Sequence, residues 1–150
     1  MANDIFYPDR IDKIAPQLFI SGAINNYSEL VKLKIKYVIN LRAEHHDDVS
    51  ILSRLGIAYF WIPIGDWGAP RSDQVKTLLD IWRTADRWEK NILIHCSVGI
   101  GRAPCMAMAI LMSTGYSMEE SISMIHKARP EIRMLPTQVE KVVEEIKKYV

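Results

Sequence analysis

The sequence predicts an α/β fold, a central mainly parallel sheet of about four to five strands flanked by helices. Three observations carry that reading. Short β-branched and aromatic runs alternate with stretches of helical periodicity; the run Asn91–His95 has an unbroken apolar centre, as a strand covered on both faces requires; and segment 103–114 is apolar nearly all round, as a buried helix is. Taken in order, Leu18–Ser21 reads as a strand, and Ser28 caps a short helix through Lys34. Lys36–Leu41 is a second strand, followed by a helix that Asp47 or Asp48 starts and Gly56 ends. Ile57–Ile64 is a third strand. Ser72 opens a longer helix with Val75, Leu78, Leu79, Trp82 and Trp88 at helical spacing, both tryptophans expected in the core. After the strand Asn91–His95 and the apolar helix comes a turn at Gly115. Ser117-Met-Glu-Glu120 is then a capping-box pattern, and Pro130 stops that helix. The last helix begins at Pro136 or Thr137 and carries Val139, Val142, Val143, Ile146 and Val150 on one face.

Composition narrows the function classes. The chain has 150 residues, 49% hydrophobic and 25% charged, with no repeat or polar linker, which predicts one domain over residues 1–150. Lys plus Arg number 19 against 18 Asp plus Glu, so no basic stripe for nucleic acid and no acidic tail is indicated. The longest nearly apolar run, Met106 to Met112, is far short of the roughly 20 residues of a membrane span. Asp4, Asp9 and Arg10 leave no room for the apolar core of a secretory signal. The expectation is a cytoplasmic monomer without membrane or nucleic-acid partners. Two cysteines, Cys96 and Cys105, are too few for a disulfide framework, and a sparse cysteine in such a chain is a candidate nucleophile.

The stretch His95-Cys-Ser-Val-Gly-Ile-Gly-Arg102 joins the buried strand to the apolar helix. A loop before a helix start offers unpaired backbone N–H groups and the positive end of the helix dipole, an anion site. Gly99 and Gly101 let the backbone adopt positive φ and aim those groups inward, and Arg102, six residues after Cys96, can close the cradle with a fork suited to phosphate. The same field lowers a thiol from about 8.5 to roughly 3.5–7.5, which makes Cys96 a thiolate at rest, a nucleophile aimed at phosphorus.

His-Cys, five residues and Arg, with glycine third after the cysteine, resembles the signature of the protein tyrosine phosphatase superfamily. Val38-Ile39-Asn40, the loop around Asp66, Leu111–Gly115 followed by Ser117–Glu120, and Arg129-Pro130 resemble its small, archaeal-type dual-specificity branch, over roughly residues 10 to 145. The resemblance implies that Cys96 attacks phosphorus to give a cysteinyl-phosphate. The N–H groups of Ser97, Val98, Gly99, Ile100, Gly101 and Arg102, with the Arg102 guanidinium, would hold the phosphate oxygens. No metal and no cofactor are implied. His95 would orient the loop from behind and Asn40 would brace it. Asp66, thirty residues before Cys96, would be the general acid on a loop that Gly65 and Gly68 let close; Asp73, Glu131 and Glu44 are rival carboxylates. Gln138 would position the water of the second step, with a helix-surface glutamine as the plain alternative. The family usually has Ser or Thr after the arginine where this chain has Ala103, which predicts slow breakdown of the phosphoenzyme. The implied substrate is a phosphotyrosine protein, with phosphoserine and phosphothreonine also admitted. The rivals are a phosphate-binding module that has lost turnover and a sulfurtransferase using a cysteine loop.

Other features read as structural. Glu44-His-His-Asp-Asp48 matches no zinc spacing and reads as a polar loop bordering the phosphate pocket. His126 reads as a surface or packed histidine and Cys105 as a small packed residue.

Overall fold

The computed structural model describes residues 10–149; Asp4 and Asp9, on which the signal-peptide reading rests, and Val150 lie outside the described residues. Five strands form one sheet in the order β1-β2-β5-β3-β4. They are β1 (Asp12–Ala15), β2 (Leu18–Ser21), β3 (Ile35–Arg42), β4 (Ala58–Ile64) and β5 (Asn91–His95). The pairs β2·β5, β5·β3 and β3·β4 are parallel and β1·β2 is antiparallel. The helices are α1 (Tyr27–Lys32), α2 (Val49–Arg54), α3 (Ser72–Arg87), α4 (Arg102–Ser113), α5 (Met118–Ala128) and α6 (Pro136–Ile146).

Strand alternation divides the core into two layers. Leu18, Ile20, Ile92, Ile94, Ile39 and Leu41 face α3, α4, α5 and α6, whereas Phe19, Leu93 and Val38 face α1 and α2 with Leu30 and Leu52. Both faces are therefore covered, as a parallel sheet requires. Helix α4, buried from Arg102 to Leu111, runs through the thicker layer.

The structure departs from the expectations in instructive places. Strand β1 went unread because it is a four-residue edge strand with one buried side chain, Ile14. Asn26, not Ser28, caps α1, its Oδ1 accepting from the Ser28 N–H at 3.0 Å and the Ser28 hydroxyl at 2.6 Å, and the helix stops at Lys32. Asp48 caps α2 through the Ile51 N–H at 3.1 Å, which leaves Asp47 for other work. Trp82 is in the core but Trp88, beyond the end of α3, is 64% exposed. The capping box at Ser117 and Glu120 forms in both directions, at 3.0 and 2.8 Å. No helix among the described residues is long and apolar enough to cross a membrane.

Candidate active site

The carboxyl ends of the parallel strands deliver the candidate residues to one rim, where ligands bind in open α/β sheets. Strand β5 ends at His95, β3 ends at Arg42 with the β3–α2 loop beyond it, and β4 ends at Ile64 before the Asp66 loop. Cys96, Val98, Ile100, Gly101, Arg102, Asp66 and Trp67 line a small concave site. A larger cleft, lined by Arg10, Ser21, Asn25 and Glu29 among others, contains neither Cys96 nor Arg102.

The loop between β5 and α4 is shaped from outside. The carbonyls from 97 to 101 each face a donor, Ser97 O the Ala23 N–H at 2.9 Å, and Cys96 O points to the buried ring of His95, 3.4 Å from Nδ1. Val98 O accepts from Arg129 Nη2 at 3.0 Å, Gly99 O from Arg129 Nε at 2.8 Å, Ile100 O from the Arg133 N–H at 2.6 Å, and Gly101 O from the Cys105 N–H at 3.1 Å. A trans peptide sends its C=O and N–H to opposite sides, so carbonyls drawn outward turn the N–H groups of Ser97 to Arg102 into the bowl. Gly99 is essential to this path: its φ is +73°, and a Cβ there would stand 2.5 Å from Arg129 Nη2 and 2.6 Å from the Ser21 carbonyl carbon. Gly101 is a correction. Its φ is −120°, and a Cβ would find only ordinary contacts, Gln138 Nε2 at 3.6 Å and Trp67 at 3.7 Å, so it supplies space rather than positive φ.

Arg102 reaches across the bowl. Its Nη1 and Nη2 donate to Glu44 Oε1 and Oε2 at 2.9 and 2.8 Å, Nη1 also donates to Ile64 O at 2.8 Å, and Nη2 lies 3.5 Å from Asp66 Oδ1. Burial opposes the guanidinium charge, but the Glu44 fork and the negative fields of Cys96 and Asp66 outweigh it and raise the Arg102 pKa. The same fork pulls Glu44 down to about 2. Glu44, weighed from sequence as a spare acid, is thus the residue that aims the arginine.

Asp66 is exposed and lines the site with Cys96, while its rivals are engaged elsewhere. Asp73 pairs with Arg71 at the start of α3, and Glu131 pairs with Arg10. Gln138 is buried: Oε1 accepts from the Leu135 N–H at 2.8 Å and Nε2 donates to Gly68 O at 3.0 Å, which ties α6 to the Asp66 loop. The side-chain hydrogen bonds of Asn40 go to Tyr59, Arg42 and the β3–α2 loop, not to the Cys96 loop. Its Nδ2 donates to His45 O and the Tyr59 hydroxyl, and its Oδ1 accepts from Arg42, so it organises the β3–α2 loop. Ala103 is fully buried in the first turn of α4. Cys105 is buried, pushed up to about 12 by burial and the field of Cys96, and donates to Gln138 O at 3.6 Å. His126 is exposed on α5. The Glu44–Asp48 run gathers no set of three metal-ligating side chains among the described residues.

The structure thus brings one cysteine, a loop of backbone amides and an arginine together at the carboxyl edge of a parallel sheet. The family model described as the dual specificity phosphatase catalytic domain matches residues 18–147, and the chain belongs to that family. Mouse Protein phosphatase Slingshot homolog 3 is 22% identical over 135 residues, which are 83% of this chain, and the chain spans about a fifth (19%) of that relative's length. Mouse Protein tyrosine phosphatase type IVA 2 is 25% identical over 114 residues, 73% of this chain and 66% of the relative. Among solved structures, Tk-PTP in the active form superposes with a TM-score of 0.80 at 24% identity, covering 93% of this chain and 97% of that one. PTPMT1 in complex with PI(5)P gives 0.84 at 18% identity, covering 94% and 97%. These likenesses are of fold.

Proposed function

We propose that the chain is a cysteine-dependent phosphatase acting on phosphotyrosine proteins, with phosphoserine and phosphothreonine as further substrates. The observation that carries the reading is the loop whose carbonyls at 96 to 101 are all drawn outward, so that Cys96 Sγ and six N–H groups share one bowl with Arg102. Such a bowl stabilises the equatorial oxygens of a phosphoryl group during transfer. Cys96 attacks phosphorus as a thiolate, an S–P bond forms, and the P–O bond to the leaving group breaks while Asp66 gives that oxygen its proton. Water then attacks the cysteinyl-phosphate, Asp66 takes its proton, and phosphate departs as the thiolate re-forms.

The ligand class follows from the loop and its rim. Ser97, Val98 and Ile100 are uncharged, so the bowl suits one phosphate ester rather than several phosphates. Trp67, 44% exposed and held at φ +60° beside Asp66, offers a ring face at the mouth for an aryl leaving group. No step calls for a metal.

The test is hydrolysis of an aryl phosphate with chelator present between pH 4.5 and 8, comparing wild type with Cys96→Ser. Turnover that disappears with Cys96 and ignores chelator supports the reading. A folded wild type that binds phosphotyrosine peptide but gives neither turnover nor burst makes the site a phosphate-binding module, the reading that the buried Ala103 favours.

A further inference from the structure

Behind the bowl stands a second set of polar and charged side chains, buried beneath the rim. Asp47, freed from capping by Asp48, is 1% exposed in its side chain, and a carboxylate so buried needs strong partners. It has two. Oδ2 accepts from His95 Nε2 at 2.6 Å, and Oδ1 accepts from Arg42 Nη2 at 3.1 Å. Arg42 is itself fixed by Asn40 Oδ1, which takes both its N–H and its Nε–H, and Asn40 is the register partner of His95 across β3 and β5.

We propose that Asp47 is a positioning residue for the nucleophile: its carboxylate accepts from Nε2 of the fully buried His95 and so fixes the ring, whose Nδ1 edge lies 3.4 Å from the Cys96 carbonyl. An ionised carboxylate only accepts, so a 2.6 Å contact requires the ring nitrogen facing it to donate. The opposite ring nitrogen then addresses the peptide that carries the nucleophile. The ionisable groups around this unit are Asp47 and, behind it, Arg42 of β3 on one side; on the other lies Cys96, which shares the fields of Arg102 and Cys105 of α4. Tyr59 of β4 joins through Asn40 and, at 3.4 Å, through the Asp47 N–H, and its hydroxyl meets His46 Nδ1 at 2.9 Å. The unit is continuous from that surface histidine to the peptide of Cys96.

The inference rests on the nucleophile reading of Cys96 but not on phosphate turnover, so its test uses no phosphate ester. In wild-type protein, the ¹⁵N shifts of His95 are expected to show Nε2 protonated; a bare Nε2 overturns the proposal whatever any variant does. In Asp47→Asn, inactivation by iodoacetate at pH 6 is expected to slow by about 10- to 100-fold, the scale on which losing a carboxylate behind a metal-bound histidine acts, and to stay within about twofold at pH 9. Asp47→Glu restores most of the rate at pH 6. In a His95→Asn background the Asp47→Asn change adds nothing further. An alkylation profile that matches wild type, or a full effect that persists without His95, rules the role out. If Cys96 alkylates as described yet no ester is hydrolysed, the phosphatase reading fails while this one stands.

Discussion

Arg129 Nε and Nη2 donate to Gly99 O and Val98 O at 2.8 and 3.0 Å, while its Nη1 meets Asp12 Oδ2 and Arg10 O at 2.8 and 3.0 Å. One guanidinium at the end of α5 thereby fastens the underside of the Cys96 loop to β1. Its side chain is fully buried, and truncation leaves Asp12 with Arg10 alone and strands two loop carbonyls. Arg129→Met is expected to lower unfolding stability by about 2 kcal/mol, the scale of leaving buried acceptors without a donor. It should also weaken inhibition by orthovanadate, because the N–H groups lose their fixed aim. Urea denaturation and vanadate titration measure the two effects. Stability and vanadate affinity both at wild-type level would mean the loop holds its shape without the clamp.

Asp66 stands on a solvent-exposed loop whose Gly68 carbonyl is tied to Gln138. Asp66→Asn is expected to lower turnover of a poor leaving group by about 10²–10⁴ and to remove the alkaline limb of the pH profile, since the amide has no proton to give. A substrate whose leaving group needs no protonation should lose much less. If poor and good leaving groups slow alike, the acid is another carboxylate.

At Ala103 the question is the second step. The methyl group, on the residue after Arg102, is fully buried at the start of α4, where the resemblance leads one to expect a hydroxyl. Wild type is expected to release a burst of phenol followed by a slower steady rate, and Ala103→Ser to raise the steady rate without enlarging the burst. Rapid-mixing kinetics separates them. Identical burst and steady rates in the two proteins would remove Ala103 from the explanation.

Much of this was legible in the sequence, and the division has a physical cause. Local rules gave the strand–loop–helix around Cys96, because glycine spacing, an apolar strand and a buried helix are written in consecutive residues. The capping box at Ser117 is equally local. The residues that aim the loop are remote in sequence: Glu44 is 58 positions from Arg102, Asp47 is 48 from His95, and Arg129 is 30 from Gly99. Nothing in Glu44-His-His-Asp-Asp48 distinguishes a carboxylate that grips an arginine from one that faces water. The register of β3 against β5, which brings Asn40 beside His95, decides that. Gly101 was misread because glycine's freedom to take positive φ does not oblige it to do so.

The Glu44–Arg102 fork also sets a pH dependence. Arg102, by its two hydrogen bonds first, depresses the Glu44 pKa from 4.5 to about 2. A carboxylate whose folded-state pKa lies below its unfolded one stabilises the fold fully above the unfolded value and loses that contribution as pH falls through the folded one. Glu44 therefore supports folding at neutral pH, and its share fades between about pH 4.5 and 2. With 39% of its side chain exposed, solvent screening keeps the effect modest. Glu44→Gln is expected to lower the Tm at pH 7 and to leave the Tm of the two proteins converging as pH approaches 2. It should also raise the KM for aryl phosphate more than it lowers kcat, because Arg102 loses its aim while Cys96 and Asp66 keep theirs. Thermal unfolding followed against pH and steady-state kinetics together check this. A Tm difference that stays constant down to pH 2 would show that Glu44 acts through packing and not through its charge.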